Sequence, residues 1–206
     1  MSAEPPPINP HLAYLQSTIA PRFAQMVKQA VDRLDALQRE IADLRSARGS
    51  IAWEVEGEGG GTWFLNLSAG EMTVGAEPIE PPFMRVAQSA DNWQRFVSGA
   101  APVGFLSGGW SNRGMGKTRI DRVRTIRGSV GFVVTALPDG SDWSFVTRFG
   151  PGPFPAEPQT VVTVTAAVLQ QLQREEINPQ LAFMQGQIKM TGDAALAMQL
   201  GMALFL

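Results

Sequence analysis

Residues 47–55 read ARGSIAWEV, and residues 126–134 read IRGSVGFVV. The two stretches share Arg-Gly-Ser followed by an apolar run, at an offset of 79. Three more matches follow in the same order. GTWFLNL aligns with SDWSFVTRF through Trp63 and Trp143 at 80, and GAEP (75–78) with PAEP (155–158) at 80. PVGFLSGG aligns with PQLAFMQGQ through Phe105 with Phe183 and Gly108 with Gly186 at 78. Four ordered matches at a nearly constant spacing imply a tandem duplication. Each copy reads as helix, hairpin, further strand, helix, then a Phe-x-x-Gly segment. The expected division is a Pro-rich leader over 1–20, a first repeat over 21–116 and a second over 117–206.

Outward from the repeated core, the hydrophobic period names the elements. From about His11 to Ala47 the pattern is helical, with Phe23, Val27, Ala30, Leu34, Leu37, Ile41 and Leu44 recurring at steps of three and four. Pro21 marks a break or the first turn of the main helix, and Gly49 is expected to cap its end. The period then becomes two. Ile51, Trp53 and Val55 fall on one face with Glu54, Glu56 and Glu58 opposite, and the following glycines turn the chain into a second strand. The three glutamates read as a solvated sheet face rather than a metal or acid/base cluster. SADNWQRFVSG reads as a short helix from near Ser89 to Gly99. In the second copy QIKMT reads as a strand with Ile188 and Met190 on one face, turning at Gly192 and Asp193 into an apolar helix. The first copy has no convincing counterpart to that strand and helix.

Composition excludes much chemistry. The 206 residues are 44% hydrophobic with a formal charge of -2, which suits a globular protein and gives no electrostatic reason to bind nucleic acid. There is no cysteine, and the one histidine, His11, lies in the Pro-rich leader. Disulfides, thiolate metal sites, a Ser-His-Asp triad and a multi-histidine metal site all require residues the chain lacks. No Asp-rich loop is spaced for calcium or magnesium. Many common catalytic designs are thus excluded. MSAEPPP does not read as a secretory signal, and Gln185, Gln187, Lys189, Asp193 and Gln199 interrupt the apolar tail below the roughly 18–20 residues a spanning helix needs. A cytoplasmic, soluble protein is the expectation.

NPQLAFMQGQIKMTGDAALAMQL (178–200) resembles the C-terminal signature of the sterol carrier protein 2 family: an Asn/Asp-Pro pair, a Phe-rich turn, a glycine, a strand, a second glycine and an apolar helix. GTWFLNLSAGEMTVG and the preceding hairpin resemble the family's first strands, and SADNWQRFVSG its Asp-containing helix. The resemblance covers nearly all of 23–206 as two copies. It implies an α+β fold, with mixed, mostly antiparallel sheets covered on one face by helices. It also implies an apolar tunnel between sheet and helices that binds and transfers a lipid or sterol-like molecule without reaction. No peroxisomal tripeptide ends the chain, which fits a bacterial or otherwise cytoplasmic origin.

The residues expected to line that tunnel are Leu172, Phe183, Met184, Ile188, Met190, Leu196, Met198, Leu200 and Met202. Leu196, Leu200 and Ala203 or Leu204 make one helical stripe with Met198 and Met202 beside it. Methionine is unbranched and polarizable, so it suits walls whose contents vary in shape. The terminal helix, tethered only at the Gly192 turn, is expected to gate the tunnel.

SNRGMGKT approximates a phosphate loop, but Ser111 stands where the first glycine belongs and a hairpin follows within about ten residues, so a nucleotide site is rejected. The basic run Arg113, Lys117, Arg119, Arg122, Arg124 and Arg127 reads first as a solvated helix face with cations near its C-terminus. Its alternative is transient contact with an anionic membrane surface. A second functional reading is an accessory protein whose groove holds a partner helix or presents a quinone-like intermediate to an enzyme. The N-terminal helix is the expected contact with a protein partner.

Overall fold

The computed structural model describes residues 14–99, 114–174 and 176–205, with side chains through Ala203. His11, Phe105, Gly108, Ser111 and Arg113 lie outside the described residues. Two compact units divide at Ala42 and Asp43. The first is helical: a π-helical turn, Leu15–Ile19, runs into α1, Ala20–Arg45, whose last residues belong to the second unit. Pro21 explains the turn. It has no N–H to give the backbone before it, and the wider turn places the N–H of Ala20 on the carbonyl of Leu15, five residues back.

The second unit is α+β. Its strands are β1 (Arg48–Glu56), β2 (Gly61–Ser68), β3 (Glu71–Gly75), β4 (Met84–Ser89), β5 (Gly128–Thr135), β6 (Trp143–Phe149), β7 (Thr160–Thr165) and β8 (Ile188–Gly192). Its helices are α2 (Ala90–Val97), α3 (Lys117–Val123), α4 (Ala166–Gln173), α5 (Pro179–Met184) and α6 (Ala194–Phe205). Among the described residues the eight strands form one sheet in the order β3-β2-β1-β4-β6-β5-β7-β8.

The halves repeat one pairing scheme. β1 runs antiparallel to β2 and parallel to β4, and β5 likewise runs antiparallel to β6 and parallel to β7. The correspondence extends to single atoms. Ser50 and Ser129 are both fully buried, and each hydroxyl accepts a backbone N–H at 3.1 Å, from Ile79 and from Gln159. Ser89 and Thr165 cap α2 and α4 by accepting from the third residue on, Asn92 and Val168. Such oxygens satisfy N–H groups that a helix start leaves unpaired.

Two expectations need correction. Gly49 does not cap α1, which ends at Arg45; it lies in β1 opposite Leu67. Its φ is +153°, and an added Cβ would sit 2.9 Å from Cδ1 of Phe83. Gly128 repeats the arrangement at φ +133°, where a Cβ would meet Leu196 Cδ2 at 2.7 Å. Second, Trp63 pairs with Trp53, whereas Phe132, the counterpart of Trp53, pairs with Phe145. The structural equivalent of Trp63 is therefore Phe145, not Trp143, because the second hairpin loop spans 136–142 where the first spans 57–60. The helical stretch expected from about His11 to Ala47 is present from Tyr14 through the π turn to the end of α1 at Arg45, with 11–13 outside the described residues.

The halves meet at β4 and β6, which pair antiparallel from Met84↔Phe149 to Ala87↔Val146. Among the described residues the first half has no strand beyond β4 equivalent to β8, and the second has no strand beyond β6 equivalent to β3. Each half thus occupies the position of the strand its neighbour lacks. One sheet face carries Ile51, Trp53, Val55, Val86, Val130, Phe132, Val134, Phe145, Val162 and Val164, and these join α3, α4 and α6 in one core. Trp93 of α2 meets Trp53 edge-on, and Phe96 stacks against Trp53 and against Trp143 of the second half. On the opposite face Glu54 holds Arg85 at 2.6 Å, and the guanidinium lies 4.9 Å over Phe154.

Candidate functional site

The site is built on the entry into α6. Gly192 adopts φ +93° and packs so closely on the chain before β7 that a Cβ would lie 2.1 Å from the carbonyl oxygen of Gln159. The hydroxyl of Thr160 donates to the carbonyl of Asp193 at 2.7 Å, and the Asp193 N–H donates to that of Gln159 at 2.9 Å. The Asp193 carboxylate accepts from Ala195 N at 2.9 Å and Leu196 N at 3.1 Å, capping α6. The expected turn at Gly192 and Asp193 is present, and it fixes the rotation of α6.

That rotation divides the expected lining residues. Leu196 and Leu200 face the core, Leu200 being 5% exposed, with Ala203 beside them. Leu172 on α4 and Ile188 and Met190 on β8 are half-buried against the same core. Met198, 65% exposed, and Met202 lie on the outer side of α6, and Phe183 and Met184 are exposed on α5. Of the expected lining residues, Leu172, Ile188, Met190, Leu196 and Leu200 border the one core, whereas Phe183, Met184, Met198 and Met202 are exposed.

Two concavities adjoin this group. Between the sheet and α4, an apolar void of about 20 Å³ is lined by Phe132, Val134, Trp143, Phe145, Val162 and Leu169, among others. Between α3 and α6, an open cleft of about 480 Å³ is lined by Arg122, Thr125, Ile126, Gln199, Met202 and Ala203. Small-molecule sites run from about 300 to 1,000 Å³. The void lies far below that range, and the cleft is an open surface concavity rather than an enclosed cavity. The cleft joins one cation, Arg122, to an apolar floor, a pairing suited to an amphiphile. Of the residues forecast for the tunnel, only Met202 touches it; Arg122 was legible as part of the basic run, but its neighbour α6 was not.

Most of that basic run is tied to protein groups. Lys117 pairs with Asp121, Arg124 bridges Glu80 at 2.7 Å and Asp121 at 3.6 Å, and Arg127 donates to the carbonyls of Arg124 and Ile126. The start of α3 is occupied by an acid: Asp43 accepts from Thr118 N at 3.0 Å and from its hydroxyl at 2.7 Å. A carboxylate at that position repels phosphate, which agrees with rejecting a nucleotide loop.

Sequence reasoning also missed a buried polar pair. Gln88 of β4 is 4% exposed, and among the described residues neither its amide oxygen nor its nitrogen has a hydrogen-bond partner; the indole N–H of Trp53 on the adjoining strand is likewise buried and unpartnered among them. Both side chains lie on the helix-covered face, since Trp53 pairs with Val86 and Val55 with Gln88. The only visible signal was a glutamine at an inward position of MRVAQS.

The arrangement defines an α+β protein whose helices gather on one face of a mixed sheet and whose last helix is apolar. Residues 116–205 match the model of the SCP-2 sterol transfer family, so the likeness read from 178–200 holds for the second half. Solved structures similar to the chain include sterol carrier protein domain 2 of Helicoverpa armigera, at 29% identity over 39% of this chain and 68% of that one, with a TM-score of 0.31. The apo form of sterol carrier protein 2 from Yarrowia lipolytica is 19% identical over 44% of this chain and 79% of that one, with a TM-score of 0.32. Palmitated SCP2L2 from Aedes aegypti is 18% identical over 44% and 94%, also at 0.32. Among curated proteins no relative matches. Among the described residues no helix is long and apolar enough to cross a membrane.

Proposed function

We propose that the protein binds and transfers a lipid or similar hydrophobic molecule without catalysing a reaction. In this reading it is a duplicated sterol-carrier-like chain with its ligand site in the second half. The observation that carries this is the family match over 116–205, coinciding with the half that retains β8 and the apolar helix α6. The ligand enters through the cleft between α3 and α6, with Arg122 at its mouth, and reaches the group around Leu172, Ile188, Met190, Leu196 and Leu200 as α6 moves outward. Burying about 300 Å² of apolar surface at roughly 25 cal/mol per Å² supplies about 7 kcal/mol before the costs of association. That is enough for weak, loosely specific retention without a charged anchor. Arg122, at the mouth of the cleft, is also where contact with an anionic bilayer would load the ligand.

Native mass spectrometry of freshly purified protein tests this reading, and the expected result is a bound lipid that deletion of 194–206 removes. A truncated protein that stays folded and keeps its lipid would refute the gating role of α6. An empty protein with a co-purifying chain would instead favour the accessory reading, in which the groove holds a partner or presents a quinone-like intermediate. The exposed apolar stripe of α1 is the observation on its side.

A further inference from the structure

α1 repeats its apolar positions every seven residues without a break. Written as heptads, the first core positions are Ala20, Val27, Leu34 and Ile41, and the second are Phe23, Ala30, Leu37 and Leu44. A helix lying on a globular core follows a period of 3.6, whereas a sustained seven-residue period is the mark of helices that supercoil around one another. No residue of α1 is buried: Phe23 is 69% exposed, and Val27, Leu34, Leu37 and Ile41 are exposed with it. The geometry points to a parallel, in-register, two-stranded coiled coil between α1 and the α1 of a second copy of this chain.

Three features select that occupant. Valine and isoleucine at first core positions with leucine at second ones favour two parallel strands, and Val27, Ile41, Leu37 and Leu44 follow that rule. The flanking positions that meet in a parallel register are compatible at every step. Met26 faces Val31 of the second copy, Arg33 faces Gln38, and Glu40 faces Arg45, an opposite-charge pair. Finally, residues 20–45 carry five cations against four acids. A helix lying on an anionic membrane concentrates Lys and Arg on its polar face, but this face mixes both signs. At 26 residues α1 is about 39 Å long. This inference stands independently of the lipid reading, since it draws on neither the cleft nor the second half.

Light scattering on the full chain is expected to give the mass of two chains, and Leu34→Glu that of one, with the sheet signal in circular dichroism unchanged. Glu40→Arg and Arg45→Glu are each expected to weaken the dimer at least tenfold, and mixing the two variants to restore it, because the mixed pair regains opposite charges. The chain contains no cysteine, so Val27→Cys gives a clean geometric readout. In a parallel dimer it oxidises to a covalent pair at high yield. A monomeric wild-type chain would overturn the inference. So would a dimer in which Cys substitution at 27 yields no crosslink and the charge variants do not complement. Sedimentation of the wild-type chain with phosphatidylserine vesicles, abolished by Leu34→Glu, would assign the stripe to membrane instead.

Discussion

Truncating α6 on its two faces tests the placement of the terminal helix. Leu200 is 5% exposed and joins Leu196 and Ala203 in the core, whereas Met198, two residues earlier, is 65% exposed. Leu200→Ala removes buried carbons and leaves a cavity that the capped, anchored helix cannot fully close, at a cost of about 2–5 kcal/mol. For a domain of this size each kcal/mol lowers Tm by about 2–4 °C, so a fall of about 7–14 °C is expected for a mid-range loss. Met198→Ala removes a side chain from solvent and is expected to change stability by no more than about 0.5 kcal/mol. Thermal and urea unfolding of both variants, monitored by tryptophan fluorescence, measures the two costs side by side. Equal shifts, or a larger one for Met198→Ala, would show that α6 is not seated on its leucine stripe, and the entry route argued from that seating would fall with it.

Gly128→Ala adds a Cβ 2.4 Å from Gln159 Oε1 and 2.7 Å from Leu196 at φ +133°. Backbone strain and overpacking together predict a loss of about 2–5 kcal/mol by urea unfolding; a neutral result would contradict the close packing of β5 under α6. The Asp139 carboxyl is lowered to about 2 by hydrogen bonds from the Ser141 hydroxyl and backbone and from Arg95. Its folded value lies below its ordinary one, so its contribution is complete above about pH 4 and is lost as the pH falls toward 2. The Tm gap between wild type and Asp139→Asn should therefore shrink over that window, and a gap that persists at pH 2 would refute the assignment. Gln88→Met removes two polar atoms that have no partner among the described residues, at similar volume, and is expected to leave stability unchanged or raise it by about 1 kcal/mol. A loss above 2 kcal/mol would reveal a partner for the amide.

Local period made much of the molecule legible. Alternation placed Ile51, Trp53 and Val55 inward, the Ser89 cap and Gly99 bounded α2, and Gly192 with Asp193 located the turn into α6. The Ser50 and Ser129 contacts show why the Arg-Gly-Ser motif recurs: each serine clasps the chain leading toward its parallel strand. What escaped reading depends on partners distant in sequence. The offset of Trp63 was hidden because loop length, not residue identity, sets where a hairpin strand resumes. The pairing of β4 with β6 joins edges that carry no local signal. The methionines Met184, Met190, Met198 and Met202 are neighbours along the chain, but the caps of α5 and α6 turn three of them outward. Proximity in sequence says nothing of a shared wall when the backbone rotates between positions.

The β4–β6 junction constrains how such a chain can be divided. Cutting between the halves would leave two bare strand borders, each offering unpaired amide and carbonyl groups to any passing polypeptide. Fragments made separately would be prone to clump or to reunite, and neither would keep its native outline. The two halves differ in their outer portions, while the shared border holds them to a single sheet.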